Sequence, residues 1–259
     1  MGDTNPDVFP DEIEIGEVNL DRVTHDELGR VYYNEHVRLP SVSTVLNVRP
    51  DPPGLARYKA KQAKKEGYTD FYLDRGTLAH YEWLNPLADR ELWTEDEEMS
   101  QDALQSHQEY WDRYQSGLDW MRDTWEFLRE YLGINEDTVL AVEHYVANFD
   151  VGYAGQLDLL YVDPDGNIVL ADLKTSKDVY DDYLYQAVAY DHALDVTVDR
   201  MEVIRMNPDQ KVWEISRSDE WIDDTDELWE EFKDLRAQLE EEQLEAIVQS
   251  ADEEGAYSG

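Results

Sequence analysis

The chain contains no cysteine. Disulfides are thereby excluded, and so are thiolate metal sites. Cations are scarce as well. Lysines and arginines number 22 against 61 aspartates and glutamates, a formal net charge of −39 among 259 residues. A surface so acidic repels itself, and in dilute salt it repels nucleic acid. No apolar run approaches the roughly 20 residues of a membrane span, so no membrane partner is expected. The opening residues, Met1 to Asp7, have neither a basic region nor an apolar core. No secretory leader is visible there, and a cytoplasmic protein is the expectation.

Two readings of the charge compete. One is adaptation to multimolar salt, where the Debye length is only about 3 Å at 1 M. The other is an acidic interaction protein that imitates DNA. The acid is spread along the whole chain between good apolar segments, which favours the first reading and a halophilic host cell.

What is present is organised around residues 152–190. Apolar, β-rich runs at 152–162 and 167–174 flank Asp163-Pro164-Asp165-Gly166-Asn167. That turn chemistry predicts a hairpin, with Asp163 and Asp165 as turn formers. Asp158 interrupts the first strand and Asp172 the second. Lys174 shares the face of Asp172, because side chains alternate with period two. Carboxylates in such apolar company are costly unless something compensates them. Magnesium or manganese, which prefer hard oxygen ligands, would do so. Two carboxylates can hold such an ion against a phosphate, and the ion lowers the pKa of a bound water. An adjacent ammonium can orient that water or neutralise developing charge. These residues outline a site for phosphodiester hydrolysis. A helix over 179–194 follows, with Gln186 and Tyr190 four apart on one face.

Gly155-Gln156-Leu157-Asp158, Asp172-Leu173-Lys174 and the Gln186/Tyr190 pair resemble the PD-(D/E)xK nuclease superfamily. More narrowly, they resemble its RecB-type exonuclease branch, found also in phage and archaeal-virus proteins. Pro40-Ser41-Val42-Ser43-Thr44-Val45-Leu46 is similar to the entry sequence of viral members, where Ser41 alone reads as a helix N-cap. Gly76-Thr77-Leu78-Ala79-His80 resembles the helix that supplies a histidine metal ligand, whereas Glu82 falls off that face. The resemblance implies that His80, Asp158, Asp172 and the backbone carbonyl of Leu173 bind Mg2+ or Mn2+. It implies that Lys174 assists the water and that Glu143 joins as an accessory carboxylate. It implies that Gln186 and Tyr190 position Lys174 or the DNA. Some RecB-type relatives carry an iron–sulfur cluster on four cysteines, which this chain cannot build.

The remaining segments fit one α/β domain over 13–248, between a disordered stretch at 1–12 and an acidic tail at 249–259. Within it, 13–135 is expected to be mainly helical, apart from a small hairpin turned near 26–30. A helix over 55–66 carries Arg57, Lys61 and Lys64, and four of the chain's eight lysines fall in 59–65. In so acidic a protein this reads either as a solvated face or as a phosphate-contacting one. A loop follows at 91–100. Apolar positions at helical spacing predict a long helix over 101–132, ended by Gly133. Strands are expected near 139–147, 152–162, 167–174, 201–207 and 211–217. They would form a central mixed sheet flanked by helices, a restriction-endonuclease-like core over 136–217. Glu143 is the isolated acid of the first strand, with His144 on the opposite face. A final helix should occupy 218–248, its regular part from about 223, with Leu228, Phe232, Leu235 and Leu239 as its buried stripe.

The function implied is metal-dependent DNA hydrolysis, exonucleolytic, in replication, recombination or repair. DNA would be the substrate and a helicase or recombination protein the partner. Two other classes stay open on the sequence alone. A silent nuclease-fold binding module is opposed by the intact Asp158, Asp172 and Lys174. An acidic DNA mimic would need negative charge clustered over the cleft itself.

Overall fold

The computed structural model describes residues 13, 15–25, 29–49, 68–88, 108–221, 224–240 and 244, with only the backbone at 25, 68–74, 108–116 and 118. The most apolar segments form its centre. β4 (Val139–Asn148), β5 (Tyr153–Val162), β6 (Ile168–Lys174), β7 (Arg200–Asn207) and β8 (Val212–Arg217) make one sheet in that order. Every pairing is antiparallel except β6 with β7. A parallel pair needs a crossover, and the helix α4 (Asp181–Asp191) supplies it. The expected hairpin forms between β5 and β6. Asp163 ties its turn by accepting the backbone N–H groups of Asp165 and Asn167, both at 2.9 Å. Gly166 there has φ 87, the left-handed region open to glycine.

Helices cover both faces of the sheet, as strands this apolar require. On one side lie α2 (Tyr68–Leu84) and α3 (Gln108–Leu132). Leu78, Trp83, Met121, Trp125 and Leu128 pack there on Leu159, Ala171, Leu173 and Ile204. The Trp125 indole donates to the carbonyl of Trp83 at 2.9 Å, which satisfies a buried polar group within that layer. On the other side lie α1 (Val42–Leu46), α4 and α5 (Thr225–Arg236). Their Val45, Tyr185, Val188, Leu228 and Phe232 pack on Leu157, Leu160 and Leu170. Ser41 caps α1 through its hydroxyl, 3.0 Å from the Thr44 amide. α3 ends at Leu132, and Gly133 follows at φ 75.

The described N-terminal part is not mainly helical. β1 (Asp21–His25), β2 (Gly29–Tyr33) and β3 (Arg38–Pro40) form a second, antiparallel sheet. The reason is local: Val23 and Val31 pair across β1 and β2, and alternation buries Val31 and Tyr32 on opposite faces. Tyr32, Leu39 and Ala154 share one apolar cluster, and the Tyr32 ring meets Tyr145 of β4 edge-on at 5.4 Å. The small sheet therefore docks on the β4–β5 end of the large one.

The helix expected over 218–248 is interrupted: α5 ends at Arg236, 237–239 form a turn, and Leu244 is again helical. That arginine donates to the carbonyls of Gly152 and Leu239, which pulls the following residues into turns. The segments at 1–12, 55–66, 91–100, 101–107 and 249–259 lie outside the described residues.

Candidate active site

Register alone assembles a row of carboxylates. β4 and β5 pair Val142 with Leu159 and His144 with Leu157, so Glu143 stands opposite Asp158. β5 and β6 pair Leu159 with Ala171, so one step further Asp158 stands opposite Asp172. All three are buried. Cross-strand neighbours are about 5 Å apart, and like charges so placed destabilise a sheet. The backbone at this row is also strained: Glu143 has φ 46, rare for a residue other than glycine. Here the strands change the layer they face. Leu157 and Val146 pack with the α4–α5 side, but Leu159 and Val142 with the α2–α3 side. Strain and like-charge crowding in one place mark a site kept for chemistry rather than stability.

α2 delivers His80 into this seam. Its Nδ1 lies 3.6 Å from Glu143 Oε1 and 3.7 Å from Asp158 Oδ1. Its Nε2 lies 2.8 Å from the carbonyl oxygen of Leu173. Asp158 Oδ2 accepts the Leu173 backbone N–H at 2.6 Å, which fixes the carboxylate against β6. Burial works against a charged imidazole, but Asp158 and Glu143 outweigh it and raise the His80 pKa to about 9. Burial raises the pKa values of Glu143 and Asp172 as well.

Lys174 comes next along the strand from this row. Its ammonium lies 2.7 Å from Asp172 Oδ1 and sits over the Tyr183 ring, 5.1 Å from the centroid. Burial pulls its pKa down, yet Asp172 and Asp158 push it up to about 12, so it is charged at neutral pH. Gln186 donates to the Tyr190 hydroxyl at 2.8 Å. The Tyr190 ring lies directly over Gly155, where any Cβ would collide with it. That is why the Gly155-Gln156-Leu157-Asp158 stretch opens on glycine.

The donor set fits a hard divalent cation. The ligand atoms of His80, Glu143 and Asp158 all lie within 4.8 Å of one another. Glu143 Oε1 and Asp172 Oδ2 are buried without a hydrogen-bond donor. Two orphaned carboxylate oxygens beside a carbonyl and an imidazole are what a cation would satisfy.

The structure thus brings His80, Glu143, Asp158, Asp172, Leu173 and Lys174 together. Gln186 and Tyr190 pair beside them. Arg57, Lys61 and Lys64 lie outside the described residues. Sequence reasoning missed Tyr183 beneath Lys174. It also missed Arg75, whose guanidinium donates to the Thr175 carbonyl and to Asp209, both at 2.9 Å. Arg75 stands five residues before His80 on α2, so one helix clamps the end of β6 at two points. Its place just before Gly76-Thr77 was a signal that the spacing to His80 made readable.

A family model described as the PD-(D/E)XK nuclease superfamily matches residues 55–255. No curated protein matches the chain.

Proposed function

The chain belongs to the PD-(D/E)XK nuclease superfamily, and from that premise we propose that it is a metal-dependent deoxyribonuclease acting as an exonuclease of the RecB type. The observation that carries this reading is the row Glu143–Asp158–Asp172 with Lys174 on Asp172 and His80 on the other two carboxylates. His80 through Nδ1, Glu143, Asp158 and Asp172 would hold Mg2+ or Mn2+; the Leu173 carbonyl, expected as a ligand, instead faces His80 Nε2 at 2.8 Å on the opposite edge of the ring and would orient the imidazole. An imidazole among oxygens favours manganese of the two. When bound, such an ion supplies a water of lowered pKa and a Lewis-acid contact to the phosphate.

The chain's own groups do the rest. Lys174 places a fixed positive charge beside Asp172, where it can hold the attacking water and offset charge gathering on the phosphate. Tyr183 and Asp172 keep that ammonium in position. Asp158, locked by the Leu173 amide, cannot swing away from the row. Tyr190 and Gln186 fill the space beside β5 and support the strand from which Asp158 projects. Arg57, Lys61 and Lys64 would add phosphate contacts. Tyr190 is buried, so of the Gln186/Tyr190 pair only the half-buried Gln186 would meet the DNA. A helicase or recombination protein would supply the DNA end. The test is digestion of matched linear and covalently closed circular DNA, single- and double-stranded, at molar potassium chloride. Loss of linear DNA from its ends with circles intact is expected. Cutting of circles would make the enzyme an endonuclease, and RNA cleaved in preference to DNA would overturn the substrate.

Metal affinity should depend on pH in a defined direction. His80 must lose its proton to offer a nitrogen, and its pKa of about 9 keeps that proton on at pH 7. Binding at pH 7 therefore expels one proton from His80 and about half a proton from Glu143, whose pKa burial raises to about 7; between pH 7 and 9 affinity rises about tenfold per pH unit, and the rise flattens above pH 9. Titration calorimetry of Mn2+ in buffers of different ionisation enthalpy measures the proton count. Heats independent of the buffer would show His80 already neutral.

The charge of −39 is read as adaptation of a halophilic host, viral in origin, to molar salt. Lowering salt from 1 M to 0.1 M lengthens the Debye length from about 3 Å to about 10 Å, so surface carboxylates then repel one another across the molecule. Melting followed by circular dichroism should fall steeply over that dialysis. An unchanged melting temperature would contradict salt adaptation.

A further inference from the structure

The site leaves one residue of the Gly155-Gln156-Leu157-Asp158 stretch unused, and that residue leads to an arginine. Gln156 lies two residues from Asp158 on β5, opposite Tyr145, in the row parallel to Glu143–Asp158. Its amide Nε2 donates to the Glu143 carbonyl at 3.3 Å, and its Oε1 accepts from Arg22 Nη1 at 2.9 Å. Arg22 comes from β1 of the small sheet, 134 residues away in sequence. It is only partly buried. Among the described residues neither Arg22 nor Arg30 forms an ion pair, in a chain with 61 acids.

Arg30 extends the same feature. β1 and β2 pair Arg22 with Tyr32 and Thr24 with Arg30, so Arg22, Tyr32 and Arg30 share one face. Arg30 Nε donates to Thr24 Oγ1 at 3.2 Å, and its guanidinium also hydrogen-bonds the Tyr32 hydroxyl between the two arginines. That face is the one docked on β4 and β5 through Tyr145 and Ala154. Residues 29–49 carry three arginines and a single acid, Glu35, against the run of the whole sequence. A positive ledge therefore begins one row from the carboxylates. Two residues of strand separate Gln156 from Asp158, about 7 Å at a rise of about 3.4 Å each. Consecutive phosphates along one nucleic-acid strand have a similar separation.

Building on the nuclease reading, we infer that Arg22, held by Gln156 and followed by Arg30, binds the backbone phosphate next to the scissile one. Guanidinium suits this role because its planar fork takes two phosphate oxygens at once. Gln156 acts as a positioning residue: it aims the fork and spares Arg22 from pairing with Glu143.

The test uses the full chain with Lys174→Met to prevent turnover, and fluorescence anisotropy of a labelled oligonucleotide over a salt series. Arg22→Gln should weaken binding and lower the slope of log affinity against log salt by roughly 0.7 to 0.9, the value of one phosphate contact. A second arm replaces single phosphates by neutral methylphosphonates. The parent should lose affinity when the phosphate beside the cleavage position is neutral, and Arg22→Gln should lose nothing further there. Such non-additivity reports contact and not misfolding. Arg22→Lys should retain part of the affinity. An unchanged salt slope, or equal losses in both proteins at every methylphosphonate position, would overturn the assignment. If the parent neither binds nor cleaves any oligonucleotide, the nuclease reading itself fails and the assignment with it.

Discussion

Replacing Lys174 by methionine is expected to reduce phosphodiester hydrolysis by about a thousandfold, the scale seen when one aimed charge is removed from a reacting centre. Methionine keeps most of the apolar stem, so packing against Tyr183 survives and only the ammonium is lost. The loss also leaves Asp172, 2 % exposed, without its partner. Breaking a buried pair costs up to 3–5 kcal/mol, and the partial exposure of Lys174 brings this to about 2 kcal/mol. A divalent cation would then meet a more negative site. The variant should therefore bind Mn2+ at least as tightly as the parent, and added Mn2+ should restore its melting temperature by mass action. Asp172→Ala is expected to differ: activity lost to the same degree, but metal affinity lowered too. Single-turnover cleavage and calorimetry on both variants separate the two. Lys174→Met cleaving at the parental rate would remove the lysine from the machinery.

Glu202→Ala is expected to cause a large loss of stability. Glu202 is fully buried on β7. One oxygen accepts from Arg200 and Arg217, each at 2.9 Å, and the other accepts the Tyr161 hydroxyl at 3.0 Å. Arg200 also reaches Asp163, so the network ties the β5–β6 turn to the β7–β8 pair. Truncation strands the Arg217 guanidinium and the buried Tyr161 hydroxyl, and leaves Arg200 with Asp163 alone. Both arginines reach solvent, so the cost is set at the low end for a broken buried pair, about 3 kcal/mol. At about 2–4 °C per kcal/mol for a chain of this size, the melting temperature should fall by roughly 10 °C. Glu202→Gln keeps an acceptor and should lose less. Differential scanning calorimetry at molar salt makes the comparison, and a fall of under about 2 °C for the alanine variant would show the network to be dispensable.

The sheet and the placement of Asp158, Asp172 and Lys174 on β5 and β6 are legible in the sequence because they rest on local rules. Asp163 and Gly166 each perform the turn role their type predicts, and period-two spacing alone joins Asp172 to Lys174. The long helix ended where Gly133 said it would. What could not be read depends on contacts between distant residues. α5 breaks after Arg236, whose side chain reaches the Gly152 carbonyl 84 residues away, a contact with no local signature. Of the N-terminal sheet only a small hairpin inside a helical half is legible, since nothing local says that its Tyr32 face docks on Tyr145. Glu143 was placed near the site only by resemblance. Its positive φ, which turns β4 at the carboxylate row, has no signature in a residue that normally avoids that region.

We read the Glu143–Asp158–Asp172 row with Lys174 as a phosphodiesterase centre. It is tested most directly by one side-by-side assay: parent and Asp172→Asn protein, purified identically, incubated with end-labelled DNA at molar potassium chloride with Mn2+ or with chelator. Cleavage by the parent with Mn2+ alone, and none by Asp172→Asn under either condition, is the predicted result. No cleavage by the parent, or equal cleavage by both proteins, would contradict it.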